Sequence, residues 1–333
     1  TSILSTISKV HSTSDNLNND IGVPKTLFGL NKDHRYGVIE MGANHLGEIG
    51  WLSKITSPNI AVITQCAPAH LEGFKNIESI AKAKAEIYTG LQSSGIAVIN
   101  ADDAYADFWK NSCKKIKQVT FGIESESADI RAKNIKLSAN KLFISFSLIT
   151  NDDSIQISLP LIGHHNVMNA LAAAACCSSL NISLQTIKKG LESVRPIKGR
   201  LEIKTGKNKS RIIDDTYNAN PTSLDAGIKT LCNFQGTRFI VLGDMGELGE
   251  KAVKFHEDVG IDAKRKNIDG LFTIGKLSMN AAKSFGQGAF HFSSHDELGR
   301  ALIKILDKNS NILIKGSRAM KMECLIEMLM EKK

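Results

Sequence analysis

Several short signatures that would settle a function at once are missing from this chain. It has no G-x-S-x-G elbow and no complete G-x-G-x-x-G run. Neither an exposed serine nucleophile nor a dinucleotide fingerprint is therefore indicated. Its six cysteines are scattered at Cys66, Cys113, Cys176, Cys177, Cys232 and Cys324. None forms a C-x-x-C pair, and they read as buried, reduced thiols of a cytoplasmic protein. Aromatic residues make up only 6%. No basic patch is interleaved with them, which disfavours nucleic acid as a partner. The longest apolar stretch, Val167 to Cys177, is far short of the roughly 20 residues that cross a bilayer, so no membrane insertion is expected. No signal-peptide pattern opens the sequence. Thr1 to Ile7 instead read as the middle of a helix, without a cap or a preceding strand, as though the sequence began inside a domain. There is no internal repeat and no low-complexity stretch.

What is present is a chain of 333 residues, 42% of them hydrophobic, enough for two domains or at most three. Lys and Arg number 42 against 34 Asp and Glu, a net charge of +8, which suits anionic small ligands such as nucleotides. From residue 36 to 100, short β-rich runs alternate with helical lengths. Strands are predicted at 36–41, 60–64 and 95–100, with helices at 48–56 and 76–92, which describes a parallel, helix-covered sheet. Residues 128–160 switch to period-two alternation with a turn at Asn151-Asp152-Asp153, an antiparallel hairpin region. Helices follow at 165–180 and 183–193. Arg195 to Arg200 break the periodicity with Pro196 and Gly199 and read as a linker. Strands at 211–214, 238–243, 270–274 and 311–315 then alternate with helices near 222–233, 250–266, 295–307 and 317–331, a second doubly wound domain of normal size.

The candidate chemistry lies at strand ends, where ligands bind in open α/β sheets. Glu40 leaves strand 36–41 just before a Gly-containing turn. It fits a ligand for Mg²⁺ on nucleotide phosphates and equally fits a solvated carboxylate. His70 follows the next strand. Lys84, in Ala81-Lys82-Ala83-Lys84-Ala85, reads on spacing alone as an exposed helix-face lysine, since an ammonium cannot ligate a metal. Asn166, in the helix start His164-His165-Asn166, suits an adenine edge or a cap. Asp215, after strand 211–214, suits ribose hydroxyls or a turn, and Arg200 has bidentate reach to phosphate. The run Leu242 to Glu250, with His256 beyond it, also follows a strand. So does Lys315-Gly316-Ser317-Arg318, whose N–H groups and two cations suit a carboxylate.

Taken in order, these strings resemble the Mur ligases, and within them the members that add D-alanyl-D-alanine to UDP-N-acetylmuramoyl-tripeptide. The matching segments are Asn16 to Pro24, Glu40 to Ile49, Ala69 to Phe74, Ala83 to Ile87, His165 to Ala173, Gly199-Arg200, Asp214 to Asn220, Gly243 to Gly249 and Lys315 to Arg318. They cover essentially the whole chain. The resemblance implies a mostly parallel α/β central domain with a small antiparallel region (1–195) and a Rossmann-like C-terminal domain (196–333). It implies an ATP- and Mg²⁺-dependent amide ligase of peptidoglycan precursor synthesis, cytoplasmic and monomeric, working through an acyl phosphate. By the same resemblance Glu40, His70 and Lys84, the last as its carbamate, form the metal and catalytic set. Asn166, Arg200, Asp215, Tyr217 and Asn220 hold the nucleotide; Asn16, Lys315, Ser317 and Arg318 face the substrate. Two departures stand out. The family's P-loop, expected shortly before the position of Thr1, is absent along with the UDP-binding domain, which implies weak ATP binding. Asp15 stands where a glycine is usual. The alternatives are a related Mur or folylpolyglutamate-type ligase, or a non-catalytic remnant of such an enzyme.

Overall fold

The computed structural model describes residues 1–68, 71–74, 76–138 and 142–331. The first half begins with α1 (Ser2–Ser5), β1 (Val10–Ser12), α2 (Gly22–Phe28), β2 (Tyr36–Val38) and α3 (Glu48–Thr56). Strands β1 and β2 form a parallel pair of their own. Then come β3 (Ile60–Ile63), α4 (Leu71–Phe74), α5 (Ile77–Ala85), β4 (Ile96–Asn100), α6 (Ala106–Ser112), β5 (Lys117–Gly122) and β6 (Ile130–Ser138). β7 (Phe143–Ile149), β8 (Ser154–Leu159), α7 (His164–Ser178) and α8 (Leu184–Glu192) complete this half. Strands β3 to β8 make one sheet in chain order, parallel from β3 to β6 and antiparallel across β6–β7–β8.

The second half comprises β9 (Glu202–Thr205), β10 (Arg211–Asp215), α9 (Pro221–Leu231), β11 (Thr237–Gly243), α10 (Ala252–Arg265), β12 (Gly270–Ile274), α11 (Ser278–Phe285), β13 (Ala289–Phe292), α12 (His295–Ile305), β14 (Ser310–Lys315) and α13 (Glu323–Leu329). Its sheet runs β13-β12-β11-β14-β10-β9, parallel except for the antiparallel edge β9. The chain leaves β10, builds outward through β11, β12 and β13, and returns to place β14 between β10 and β11. That reversal is the topological switch point at which open α/β sheets bind ligands.

Alternation builds the cores. Ile312 and Ile314 of β14 enter one apolar layer with Val241, Leu302 and Leu325, while Leu313 enters the opposite layer with Ile213, Leu224 and Leu242. Successive side chains of a strand point to opposite faces, and helices cover both. In the first half, α7 lays Val167, Ala170, Leu171, Ala174 and Ala175 on Val98, Phe121, Phe146 and Leu148. The spacing of those residues is one helical face, and its alanines let the helix sit close to the sheet. Ile162, just before α7, packs into the second half's core beside Leu201 and Ile213.

Several elements differ from the sequence expectation. The strand predicted at 36–41 ends at Val38, so Glu40 lies two residues beyond it. The helix predicted at 317–331 is broken: Arg318–Met320 form a 3-10 turn, Lys321 adopts φ 49°, and α13 starts at Glu323. Cys324 is exposed, because the face of α13 that is buried carries Leu325, Ile326 and Leu329. Cys113 and Cys177 are buried as expected, and Cys66, Cys176 and Cys232 are half-buried.

Candidate functional site

Glu40 is fixed by neutral partners. Its N–H donates to Thr13 Oγ1 at 2.9 Å, and its Oε1 accepts from Asn18 Nδ2 at 2.9 Å. Asn18 also accepts from the Gly42 N–H through its carbonyl at 2.7 Å. A Cβ on Gly42 would stand 3.1 Å from the Asn18 amide, so a larger residue there would press on the side chain that holds Glu40. Asn19 accepts from the Gly22 N–H at the start of α2. Asn16, Asn18, Asn44, Leu46 and Trp51 line a cleft of about 640 Å³ beside this turn. The N-terminus of α3 at the cleft is already occupied: Glu86 accepts from the Gly47 and Gly50 N–H groups.

Lys84 is half-buried on α5, whereas Lys82, two residues earlier, is exposed. Burial lowers the Lys84 ammonium pKa, opposed by nearby Cys66 and Asp103. Asp103 in turn accepts from the Cys66 N–H at 2.6 Å and the Tyr105 N–H at 2.9 Å. Burial pushes the Cys66 thiol up to about 11. The reading of Lys84 as an exposed helix-face lysine is thus corrected: the repeating Ala-Lys-Ala-Lys pattern placed one lysine outward and the other inward. His70 lies outside the described residues.

The remaining candidates meet where the two halves join. Gly163, at φ 93°, starts α7. Asn166 Nδ2 donates to the Ile162 carbonyl at 2.7 Å, and its Oδ1 accepts from Asn169 at 3.3 Å. His165 is held near Lys315 and Leu201, and its Nδ1 has no hydrogen-bond partner among the described residues. Burial, then the Lys315 and His164 charges, drive its pKa down to about 4. In the linker, the Arg200 guanidinium lies 4.2 Å from the centre of the Tyr217 ring, and the Tyr217 N–H donates to the Gly199 carbonyl. Asp215 Oδ2 accepts from Lys315 Nζ at 2.5 Å, and its Oδ1 accepts from the Leu201 N–H at 3.3 Å. Asn220 caps α9: its side chain accepts from the Ser223 N–H while Ser223 Oγ accepts from the Asn220 N–H.

Lys315 therefore faces Asp215 rather than an open surface. Ser317 donates its N–H to the Asp244 carbonyl at 2.9 Å, and Arg318 pairs with Glu323 at 3.1 Å on the exterior. Asp244 is a structural residue that motif reading left without a role. Its Oδ1 accepts from the Leu277 and Ser278 N–H groups and so caps α11. His256 supports the same loop: its Nε2 accepts from the Met245 N–H and its Nδ1 meets the Ala252 carbonyl. Thr13 was also missed, since a lone hydroxyl in a loop carries no spacing signal.

Glu40 with its asparagines thus lies just past β2 of the two-stranded sheet, and Asp215 with Lys315 and Arg200 lies at the end of β10 in the second half's sheet. The Mur ligase middle domain model matches residues 1–177, and the Mur ligase, glutamate ligase domain model matches residues 199–318. The chain belongs to the Mur ligase family. Within it, the UDP-N-acetylmuramoyl-tripeptide--D-alanyl-D-alanine ligase of Escherichia coli (strain K12) is 40% identical over 332 residues, covering 99% of this chain and 73% of the relative. The enzyme of that name from Buchnera aphidicola subsp. Baizongia pistaciae is 42% identical, covering 99% of this chain and 71% of the relative. A crystal structure of MurF from Acinetobacter baumannii superposes with a TM-score of 0.93 at 37% identity, covering 99% of this chain and 72% of that one. MurF ligase from Thermotoga maritima in complex with ADP superposes with a TM-score of 0.87 at 26% identity, covering 98% and 74%. No helix among the described residues is long and apolar enough to cross a membrane.

Proposed function

We propose that this chain is the central and C-terminal part of an ATP-dependent ligase that joins D-alanyl-D-alanine to UDP-N-acetylmuramoyl-tripeptide, acting as a cytoplasmic monomer. The boundary between its domains falls near residue 195. The observation that carries the reading is the identity of 40–42% over 332 residues, 99% of this chain, to ligases of this name. The γ-phosphoryl group of ATP passes to the tripeptide carboxylate, the D-alanyl-D-alanine amine attacks the acyl phosphate, and phosphate leaves. Asp215 accepts ribose hydroxyls, Arg200 on its Tyr217 platform meets phosphate, and Asn166 reads the adenine edge. Asn16 contributes amide contacts from the cleft beside Glu40, and Ser317 and Arg318 meet substrate from the second domain.

The residues fit a magnesium ion. Glu40 bonds only neutral partners and forms no ion pair among the described residues, and Mg²⁺ takes one or two carboxylates plus phosphate oxygens. Glu40 would hold it, with His70 and with Lys84 as its carbamate. Burial favours the neutral Lys84 amine, the form that adds CO₂. When bound, the ion neutralises charge on phosphate and carboxylate.

The test is phosphate release with ATP, Mg²⁺ and UDP-N-acetylmuramoyl-tripeptide. D-alanyl-D-alanine should support turnover and single amino acids should not; the reverse preference would assign a related ligase. Glu40→Ala should lower phosphate release by about a hundredfold or more, as loss of a charge-stabilising group does. Unchanged turnover would remove Glu40 from the metal site.

A further inference from the structure

Lys315 and Asp215 stand directly opposite each other on neighbouring parallel strands, 100 residues apart in sequence. Lys315 is 2% exposed and Asp215 8%. A buried ion pair seldom adds stability over apolar residues of the same volume, so its place at the ligand edge of the sheet calls for another reason. Asp215 is gripped on both oxygens, by Lys315 Nζ on Oδ2 and the Leu201 N–H on Oδ1. The second grip depends on an unusual backbone: Gly199 at φ 73° and Leu201 at φ 50° turn the linker so that Leu201 points its N–H at the strand end. Left-handed backbone is unfavourable for a buried leucine, which again points to function. Each carboxylate oxygen, with one donor already in place, keeps a lone pair for a further donor.

We propose that Lys315 is a positioning residue for the nucleotide: it holds the Asp215 carboxylate aimed so that it accepts ribose hydroxyls, and Lys315 itself touches no ligand. This rests on the ribose role given to Asp215 above and replaces the substrate contact expected for Lys315. Burial raises the Asp215 pKa, and Lys315, the Leu201 N–H and Arg200 offset only part of that rise. The groups facing this carboxylate are Lys315 from β14, Arg200 from the linker and, beyond Lys315, His165 from α7. Asp214 takes Lys204 and Thr216 as its own partners.

Calorimetry on the full chain with ADP and with 2′,3′-dideoxy-ADP separates the possibilities. The wild type should prefer ADP by about tenfold, the scale of a hydrogen bond to a charged group. Lys315→Met should bring that preference near unity at pH 7 while leaving dideoxy-ADP affinity within about twofold, the same scale setting both limits. Lys315→Gln, which keeps a donor without the charge, should retain part of the preference. Lys315→Arg should retain most of it. A Lys315→Met protein that keeps the wild-type preference, or that weakens both nucleotides equally, overturns the proposal. A wild type without any preference, or an Asp215→Ala protein that keeps it, defeats instead the ribose reading of Asp215.

Discussion

Asp214 and Asp215 are adjacent in sequence and have opposite fates. Strand alternation turns Asp214 toward Lys204 and the Thr216 hydroxyl, where it holds the edge strand β9, and turns Asp215 toward Lys315. The motif marked both, and only the register of β10 tells them apart. The same holds for Lys82 and Lys84 on α5. Residue identity was legible in the sequence, whereas orientation follows from packing that no short pattern encodes. His165 gives a residue-scale prediction. Its pKa is about 4 in the folded chain against 6.5 for an unperturbed histidine. Below pH 6.5 the unfolded chain binds the proton and the folded one does not, so stability falls with pH from about 6.5 and levels off below about 4. At pH 5 the loss from this residue is about 2 kcal/mol. Denaturant unfolding of wild type and His165→Phe at pH 7 and pH 5 checks it. The variant should match or exceed wild-type stability at pH 7, because an unpartnered Nδ1 is removed, and it should lack that part of the pH slope. Equal slopes for the two proteins would refute the assignment.

At the scale of elements, periodic patterns located most of the long pieces. The helix predicted at 48–56 and the strand predicted at 270–274 coincide with α3 and β12. The antiparallel region and its turn appear as β6, β7 and β8. The missed elements are short or carry mixed character. β5 opens on Lys117 and Gln118, continuing a lysine-rich run, and β9 and β13 are four-residue edge strands. Such strands exist because a neighbour supplies the hydrogen bonds, which is tertiary information. Of the two caps, Asn220 was read for ligand chemistry and Asp244 was given no role. Asn220 and Asp244 satisfy N–H groups at the starts of α9 and α11. Asn220→Ala and Asp244→Ala should each lower stability by about 1–2 kcal/mol, while Asn220→Ser should cost a few tenths. Chemical denaturation measures this directly. An Asn220→Ala protein as stable as wild type would mean that the cap is dispensable and the asparagine is kept for another purpose.

For the whole molecule, two successive runs of α/β alternation were evident in the sequence. The joining of the halves was not. Ile162 precedes α7 yet packs beside Leu201 and Ile213, and His165 lies near enough to Lys315 to feel its charge. A single apolar residue in a loop gives no sign of which core it will enter. The strand order of the second sheet was equally hidden, since local pattern says that a strand exists and not whom it pairs with. That order yields a prediction. A chain stopped after Asn309 should keep the first half resistant to limited proteolysis while residues beyond about 200 are cut rapidly, because β10 and β11 would each lack their shared neighbour. Uniform resistance along the shortened chain would show that the two strands can close on each other.

The central place of β14 also orders events in time. A ribosome releases β10 first, then β11, β12 and β13, and only much later the strand that bridges β10 to β11. Until it arrives, two apolar strand edges wait unpaired, a state open to chaperones and to mispairing with other nascent chains. Lys315 is the last residue of that strand. Its arrival beside Asp215 therefore coincides with completion of the sheet, and a nucleotide that needs the pair can be held only by a chain whose translation has passed this point.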